Sequence, residues 1–248
     1  AYQESTPVRG TTNVWDYYFE PVGDFTVADL DSGRYRVVKS ETHHPVLRET
    51  ANGVWYRQLW DQHVRLNSST ASVIAASVGN SNVGLRTIGV HGRGGDMRTF
   101  PGHPFPPTVR QLEAGVEQLL ESGEYEDIFV VSQETEIVDA LRRRFGPRVS
   151  SSSSFKASDP ATRSATPFSG GTSKSVHDRA SDIRSQHLYL LGLEVLTDVF
   201  LLARCGALVS GNSNVAHWSV ILSNLEHKPW LRIENGWNSK NTLIAPWL

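Results

Sequence analysis

Thr87-Ile88-Gly89-Val90-His91-Gly92-Arg93-Gly94-Gly95-Asp96 begins as a short apolar run and ends among glycines. The apolar half predicts a buried strand. The second half delivers His91, Arg93 and Asp96 at spacings of two and three. In an α/β protein ligands sit outside the carboxyl ends of the strands, where such a strand releases these side chains. Arg93 offers a planar fork of donors suited to a phosphate. Gly92, Gly94 and Gly95 carry no side chain, so the backbone can turn sharply and a ligand can approach it. Asp96 can orient Arg93 or His91, or accept from a ligand hydroxyl. A plain surface turn with an Arg–Asp pair fits the same letters, because short glycine motifs also occur without function.

Downstream, Met97 to Pro107 contains prolines 101, 104, 106 and 107 and reads as a loop on the ligand side of the sheet. It holds His103, whose ordinary pKa suits acid–base work and equally a solvated loop position. Thr108 predicts the cap of a helix to about Ser122, with Val109, Leu112, Val116, Leu119 and Leu120 on one side. Asp127 to Ser132 is a second strand. Its four consecutive apolar residues suit a strand covered on both faces, as in a parallel sheet. It leads through Ser132-Gln133-Glu134 into a helix of about Glu136 to Phe145, stopped by Gly146-Pro147. Strand, helix, strand, helix predicts a βαβ architecture.

Val149 to Lys174 shifts to Ser, Pro, Thr and Gly and fits either a flexible loop or one that closes on a ligand. Asp182 to Arg204 is the longest predicted helix. Asp198 lies in its most apolar part, and a buried carboxylate is costly without a partner. Asp198 therefore faces solvent, or it reaches a cleft. Ala207 to Ser210 is a third strand, broken by Gly211-Asn212-Ser213-Asn214 before a helix from Val215 to about Ser223. Ser213 and Asn214 can cap that helix or bind an anion at its N-terminus.

The first 80 residues are less regular. Asn13 to Pro21 is densely aromatic and reads as a packed cluster or seam, or as a wall for a sugar or base. Arg34 to Lys39 resembles a strand. His43-His44 has no obvious third ligand nearby and is not read as a metal site. Val54 to Asn67 predicts a helix with a buried aromatic face, and Ser68 to Ser81 either continues helical packing or leads into the strand at Thr87.

Composition bounds the partners. With 248 residues and 39% hydrophobic content, the chain can bury a sizeable core. A net charge of -2 gives no general attraction to nucleic acid or to an anionic membrane. Cys205 is the single cysteine, so no internal disulfide forms. No apolar run reaches the length of a membrane span. No secretory leader opens the chain, and its first residue, Ala1, fits a trimmed chain or a piece of a longer one. A cytoplasmic or membrane-peripheral location is expected.

The run from His91 to Asp96 resembles the His-x-Arg-x-x-Asp motif of the fucosyltransferase superfamily, which includes α-1,6-fucosyltransferases and nodulation fucosyltransferases. The strand ending in Ser132-Gln133-Glu134 is similar to the family's second motif. The helix holding Asp198, followed by Ser210 to His217, is similar to its third, and Asn13 to Pro21 resembles a stretch of bacterial members. The resemblance covers residues 13 to 22 and about 85 to 223.

It implies an α/β chain with a GT-B-like Rossmann domain, a mainly parallel sheet and a first half that is short or incomplete. Residues 1–80 would be a partial acceptor-side region, and 81–248 the sugar-nucleotide domain. The implied activity is inverting transfer of a sugar, by resemblance fucose from GDP-fucose, to a glycan hydroxyl. No cofactor or metal is implied. The one Asp-x-Asp, Asp29-Leu30-Asp31, lies far from the phosphate-type turns. By position Arg93 would hold the β-phosphate, and Ser213 and Asn214 would touch the pyrophosphate. His91 would lie near the nucleotide, with Ser132 and Asp198 supporting the donor site.

The chain departs from the pattern in two places. Gly94 stands where eukaryotic members have a second Arg, and Pro101 stands where an acidic base is proposed. His103 is the substitute base, and Asp96, the last residue of the motif, is grouped with His103 and Arg93 as catalytic. The alternatives are a catalytically silent sugar-nucleotide or glycan-binding module, and the same fold with another nucleotide sugar.

Overall fold

The computed structural model describes residues 4, 6–23, 29, 32, 53–93, 104–154, 184–223 and 228–237. Five strands build one sheet: β1 (Thr87–Gly92), β2 (Asp127–Ser132), β3 (Val149–Ser151), β4 (Ala207–Gly211) and β5 (Trp230–Ile233). Every neighbouring pair is parallel, and the order is β3-β2-β1-β4-β5. This is the doubly wound order, whose two halves diverge between β1 and β4.

The helices are α1 (Val14–Tyr18), α2 (Gly53–His63), α3 (Ser68–Gly79), α4 (Val109–Leu120), α5 (Thr135–Phe145), α6 (His187–Arg204) and α7 (Asn214–Ile221). Helices α4 and α5 cover one face, where Leu112, Val116, Ile137, Val138 and Leu141 pack on Ile88, Val90, Ile128, Val130 and Val209. The other face meets α6 and α7, with Leu201, Leu202, Cys205 and Ala216 against Phe129, Val131 and Leu208. Two layers of helix explain why β1 and β4 are buried throughout.

Close approach decides two glycines of β1. A Cβ on Gly89 would lie 2.9 Å from Leu202 of α6, and one on Gly92 would lie 2.9 Å from Ile137 of α5. Gly92 therefore admits a helix rather than a ligand, which corrects the expectation for that residue. Gly94 and Gly95 lie outside the described residues.

Caps explain where the helices begin. Thr108 and Gln111 form a reciprocal capping box on α4, as the sequence predicts. Asn67 ends the reading of one helix from Val54 to Asn67, because its side chain instead caps α3 by accepting from Thr70 N–H at 3.0 Å. The stretch from Ser68 is a helix of its own.

Helix α2 has no fully buried residue, and Trp55 is 54% exposed, so its predicted buried aromatic face is only partial. Trp60 alone reaches a wide partner set, against Phe19, Phe200 and Trp218. Arg57 reaches toward the carbonyls of Ile221 and Ser223, where the C-terminus of α7 carries partial negative charge.

Tyr17 and Tyr18 are buried against Val8, Tyr189 and Leu193, and the Tyr18 hydroxyl donates to the Tyr189 carbonyl at 2.9 Å. That is the packed-seam reading of the aromatic stretch. Toward the other end of α6, buried Lys228 donates to the Leu202 carbonyl.

Strand β3 opens the segment read as a loop from Val149, and β5 has no counterpart in the sequence reading. The strand expected at Arg34 to Lys39 and the pair His43-His44 lie outside the described residues. Among the described residues no helix is long and apolar enough to cross a membrane.

Candidate functional site

Strands β1 and β4 are neighbours, but their following helices leave in opposite directions. Helix α4 packs on one face of the sheet and α7 on the other. Such a divergence opens a crevice at the carboxyl edge. The pocket in that crevice is lined by His91, Arg93, Phe105, Pro106, Pro107, Gly211, Asn212 and Ser213.

Parallel register puts the strand ends level. Gly92 pairs with Ser132, and His91 pairs with Ser210. His91 is buried, and its Nδ1 lies 3.1 Å from Ser213 Oγ. Ser213 is the N-cap of α7, and the same oxygen accepts from Ala216 N–H at 3.1 Å. One hydroxyl thus fixes both the helix start and the imidazole. Burial, with the Arg93 charge adding to it, pushes His91 down to about 3. The ring is neutral at physiological pH and is too weak a base to be the general base. Arg93 stands exposed at the mouth of the pocket.

The opposite wall is a proline segment that the structure clamps in place. Phe105 N–H donates to the Gly236 carbonyl, Asn235 donates to the Pro106 carbonyl, and Pro104 bridges Trp237. Gln111 and Asn235 exchange amide hydrogen bonds at 2.7 and 3.0 Å. A Cβ on Gly211 would lie 2.6 Å from Pro107, so only glycine lets this wall close over β4. The sequence places the prolines on the ligand side, and Pro104 to Pro107 are there. Nothing in it marks Asn235, because its partners lie more than 100 residues away.

The expected site residues divide into groups. His91, Arg93 and Ser213 meet in the pocket. Asn214 is exposed at the first position of α7, and Asn212, which the sequence reading left without a role, takes the pocket-lining place. Ser132 is buried at the end of β2 and accepts from Glu134 N–H at 3.0 Å, which shapes the entry to α5.

Asp198 is 5% exposed, so the surface reading fails. Its carboxylate accepts from Ser154 Oγ at 2.7 Å, and Ser154 Oγ in turn lies 3.1 Å from Ser152 Oγ. Asp198 belongs to the β3 margin of the carboxyl edge rather than to the junction pocket. Asp96 and His103 lie outside the described residues. Among the described residues no three metal-type side chains converge.

In structure the chain is similar to NodZ α-1,6-fucosyltransferase soaked with GDP-fucose, at 15% identity and TM-score 0.47, covering 85% of this chain and 76% of that one. It is similar to NodZ α-1,6-fucosyltransferase co-crystallized with GDP, at 13% identity and TM-score 0.48, covering 85% and 75%. For fucosyltransferase NodZ from Bradyrhizobium the values are 16% and 0.41, covering 66% of this chain and only 44% of that one. The chain thus spans less than half of this last structure's length. No protein-family model and no curated protein matches the chain. At these identities the likeness concerns the fold and not the chemistry.

Proposed function

We propose that the chain is an inverting glycosyltransferase of GT-B-like architecture. It takes its sugar from a nucleoside-diphosphate donor, GDP-fucose by motif resemblance, and gives it to a glycan hydroxyl. The observation that carries this reading is the junction pocket. An arginine, a helix N-terminus and a neutral buried histidine surround it, and among the described residues none of those lining it is a carboxylate. That set favours an anion.

In a direct displacement the bond from the anomeric carbon to the leaving phosphate breaks, and charge accumulates on the departing oxygens. Arg93 and the first amides of α7 stabilise that charge without reorganising, which is the usual source of a large electrostatic effect. Ser213 holds His91 as a neutral wall of the pocket, and the proline segment excludes water from the phosphates.

The β3 margin lies roughly 12 Å from the junction along the sheet edge, at about 4.8 Å per strand. That is the scale of a nucleoside diphosphate, so Asp198 supports the nucleoside end. Its carboxylate suits guanine, which presents two adjacent N–H donors. His103 is the group proposed as base for the acceptor hydroxyl, and Asp96 the group proposed to orient Arg93 or His91 or to accept from a ligand hydroxyl.

Turnover of GDP-fucose with a glycan acceptor tests the reading directly. A parallel screen of sugar nucleotides by melting temperature identifies the donor, because ligands of the native state raise the midpoint by mass action. Gly94 and Pro101, at the two departures from the motif, favour the silent binding module as the second reading. Stabilisation by GDP-fucose with no turnover across glycan acceptors selects it.

A further inference from the structure

Asn212 lines the junction pocket, and its Oδ1 lies 2.9 Å from Nε2 of His217. His217 is one turn into α7 and 1% exposed. Its ring stands edge-on to Trp230 of β5, with centroids 4.9 Å apart at 89°. Trp230 is held in turn. Its indole N–H donates to Ser210 Oγ at 2.8 Å, and that hydroxyl donates to the Gly211 carbonyl at 2.9 Å. Arg232 lies over the Trp230 ring at 5.5 Å. The imidazole therefore has little freedom to rotate, and among the described residues its one polar contact toward the pocket is Asn212.

The chemistry of that contact is directional. A carboxamide oxygen only accepts, so the Nε2 facing it must carry the proton. Burial, with Arg232 adding to it, pushes His217 down to about 4, so the ring is neutral and has one N–H to give. Once Oδ1 is engaged, the part of Asn212 left for the pocket is its NH2 group. Among the described residues that nitrogen makes no hydrogen bond. The opposite tautomer would turn the amide over and present its oxygen to an anion beside Arg93.

We infer that His217 is a positioning residue that locks the Asn212 amide with its N–H donors toward the pocket, making Asn212 a ligand for the phosphate of the bound nucleotide. This rests on the anion reading of the junction pocket and adds two residues to it. Asn212 supplies a neutral donor opposite Arg93, and β5 acts on the site through Trp230 and His217.

The test uses the whole chain with inorganic pyrophosphate and GDP as separate probes in calorimetry. Asn212→Asp, which replaces the NH2 group by an anionic oxygen, is expected to weaken both probes by about 30-fold or more. Asn212→Ala should weaken them by about ten-fold, the scale of one hydrogen bond to a charged group. His217→Phe keeps a ring against Trp230 and removes the N–H; it should weaken both probes by roughly five-fold, and His217→Gln, which can still donate to Oδ1, should recover most of the loss.

Nitrogen-15 NMR of the imidazole supplies a readout that a purely structural role would not move. The Nε2–H tautomer should persist from pH 8 to pH 5.5 without titrating. A folded His217→Phe protein that binds both probes within about two-fold of the parent, while Arg93→Ala loses them, overturns this inference and leaves the pocket reading intact. An Nδ1–H tautomer also overturns it. Binding of pyrophosphate without GDP supports the anion role while removing the nucleotide reading.

Discussion

The carboxyl edge of the sheet carries two groups of buried polar side chains, and they are of opposite character. At the β1–β4 junction two neutral imidazoles, an asparagine and a serine cap stand behind one arginine. At the β3 margin the central group is a carboxylate, Asp198, held by Ser154. The junction supplies donors and positive potential, and the margin supplies acceptors. On the proposed reading, that difference would orient a ligand with an anionic end and a donor-rich end. The comparison also shows that polar residues after a strand do not by themselves make a pocket. The pocket forms where α4 and α7 part.

The largest expected effect breaks the junction. Arg93→Ala should lower turnover by about two to three orders of magnitude, the scale of losing one preorganised electrostatic contact to a transition state that gains charge. Arg93→Lys should recover little, because a point charge cannot replace the fork. Steady-state kinetics on the two variants decide this, with melting checked alongside. Near-normal transfer by a folded Arg93→Ala protein would remove the phosphate role.

The next effect separates the two regions by pH. His91 and His217 are pushed to about 3 and about 4 from an ordinary 6.5, so both are depressed in the folded state. Between those values and 6.5 the unfolded chain binds more protons than the folded one. Stability is therefore fully present above about pH 6.5 and is lost as pH falls toward 4, by a few kcal/mol in all. Urea midpoints at pH 7.5, 5.5 and 4.5 measure the slope. His217→Phe should flatten it, and an unchanged slope in that variant would show that His217 does not titrate as its burial requires.

A smaller effect sharpens the margin. Asp198→Asn should weaken GDP by about ten-fold and leave inorganic pyrophosphate unchanged, the scale of one charge-assisted hydrogen bond. Equal loss of both probes, or a fall in melting temperature alone, would mean that Asp198 only braces Ser154. The smallest concerns the pocket wall. Asn235→Ala removes bonds to Pro106 and Gln111 and should lower stability by about 1 kcal/mol, read from urea unfolding.

Much of this arrangement was legible from the chain. The apolar runs at Thr87, Asp127 and Ala207 announce strands covered on both faces, and the Thr108 and Ser213 caps announce the helices that follow. These are local signals, set by periodicity and by the hydrogen bonds a side chain can make to its own backbone. The sequence alone determined a parallel α/β protein with His91, Arg93 and Ser213 at strand ends.

Other features depend on residues distant in the chain. Strand β3 is three residues long and β5 four, too short to show a period, and each exists because β2 or β4 supplies an edge. Gly92 reads as a turn and proves to be a contact for Ile137. His217 reads as one helical residue among others, and its contacts with Trp230 and Asn212 exist only in the folded chain. Which strand ends share a pocket depends on the direction in which α4 and α7 leave the sheet. No local stretch encodes that direction, because it is set by which face of the sheet each helix can bury.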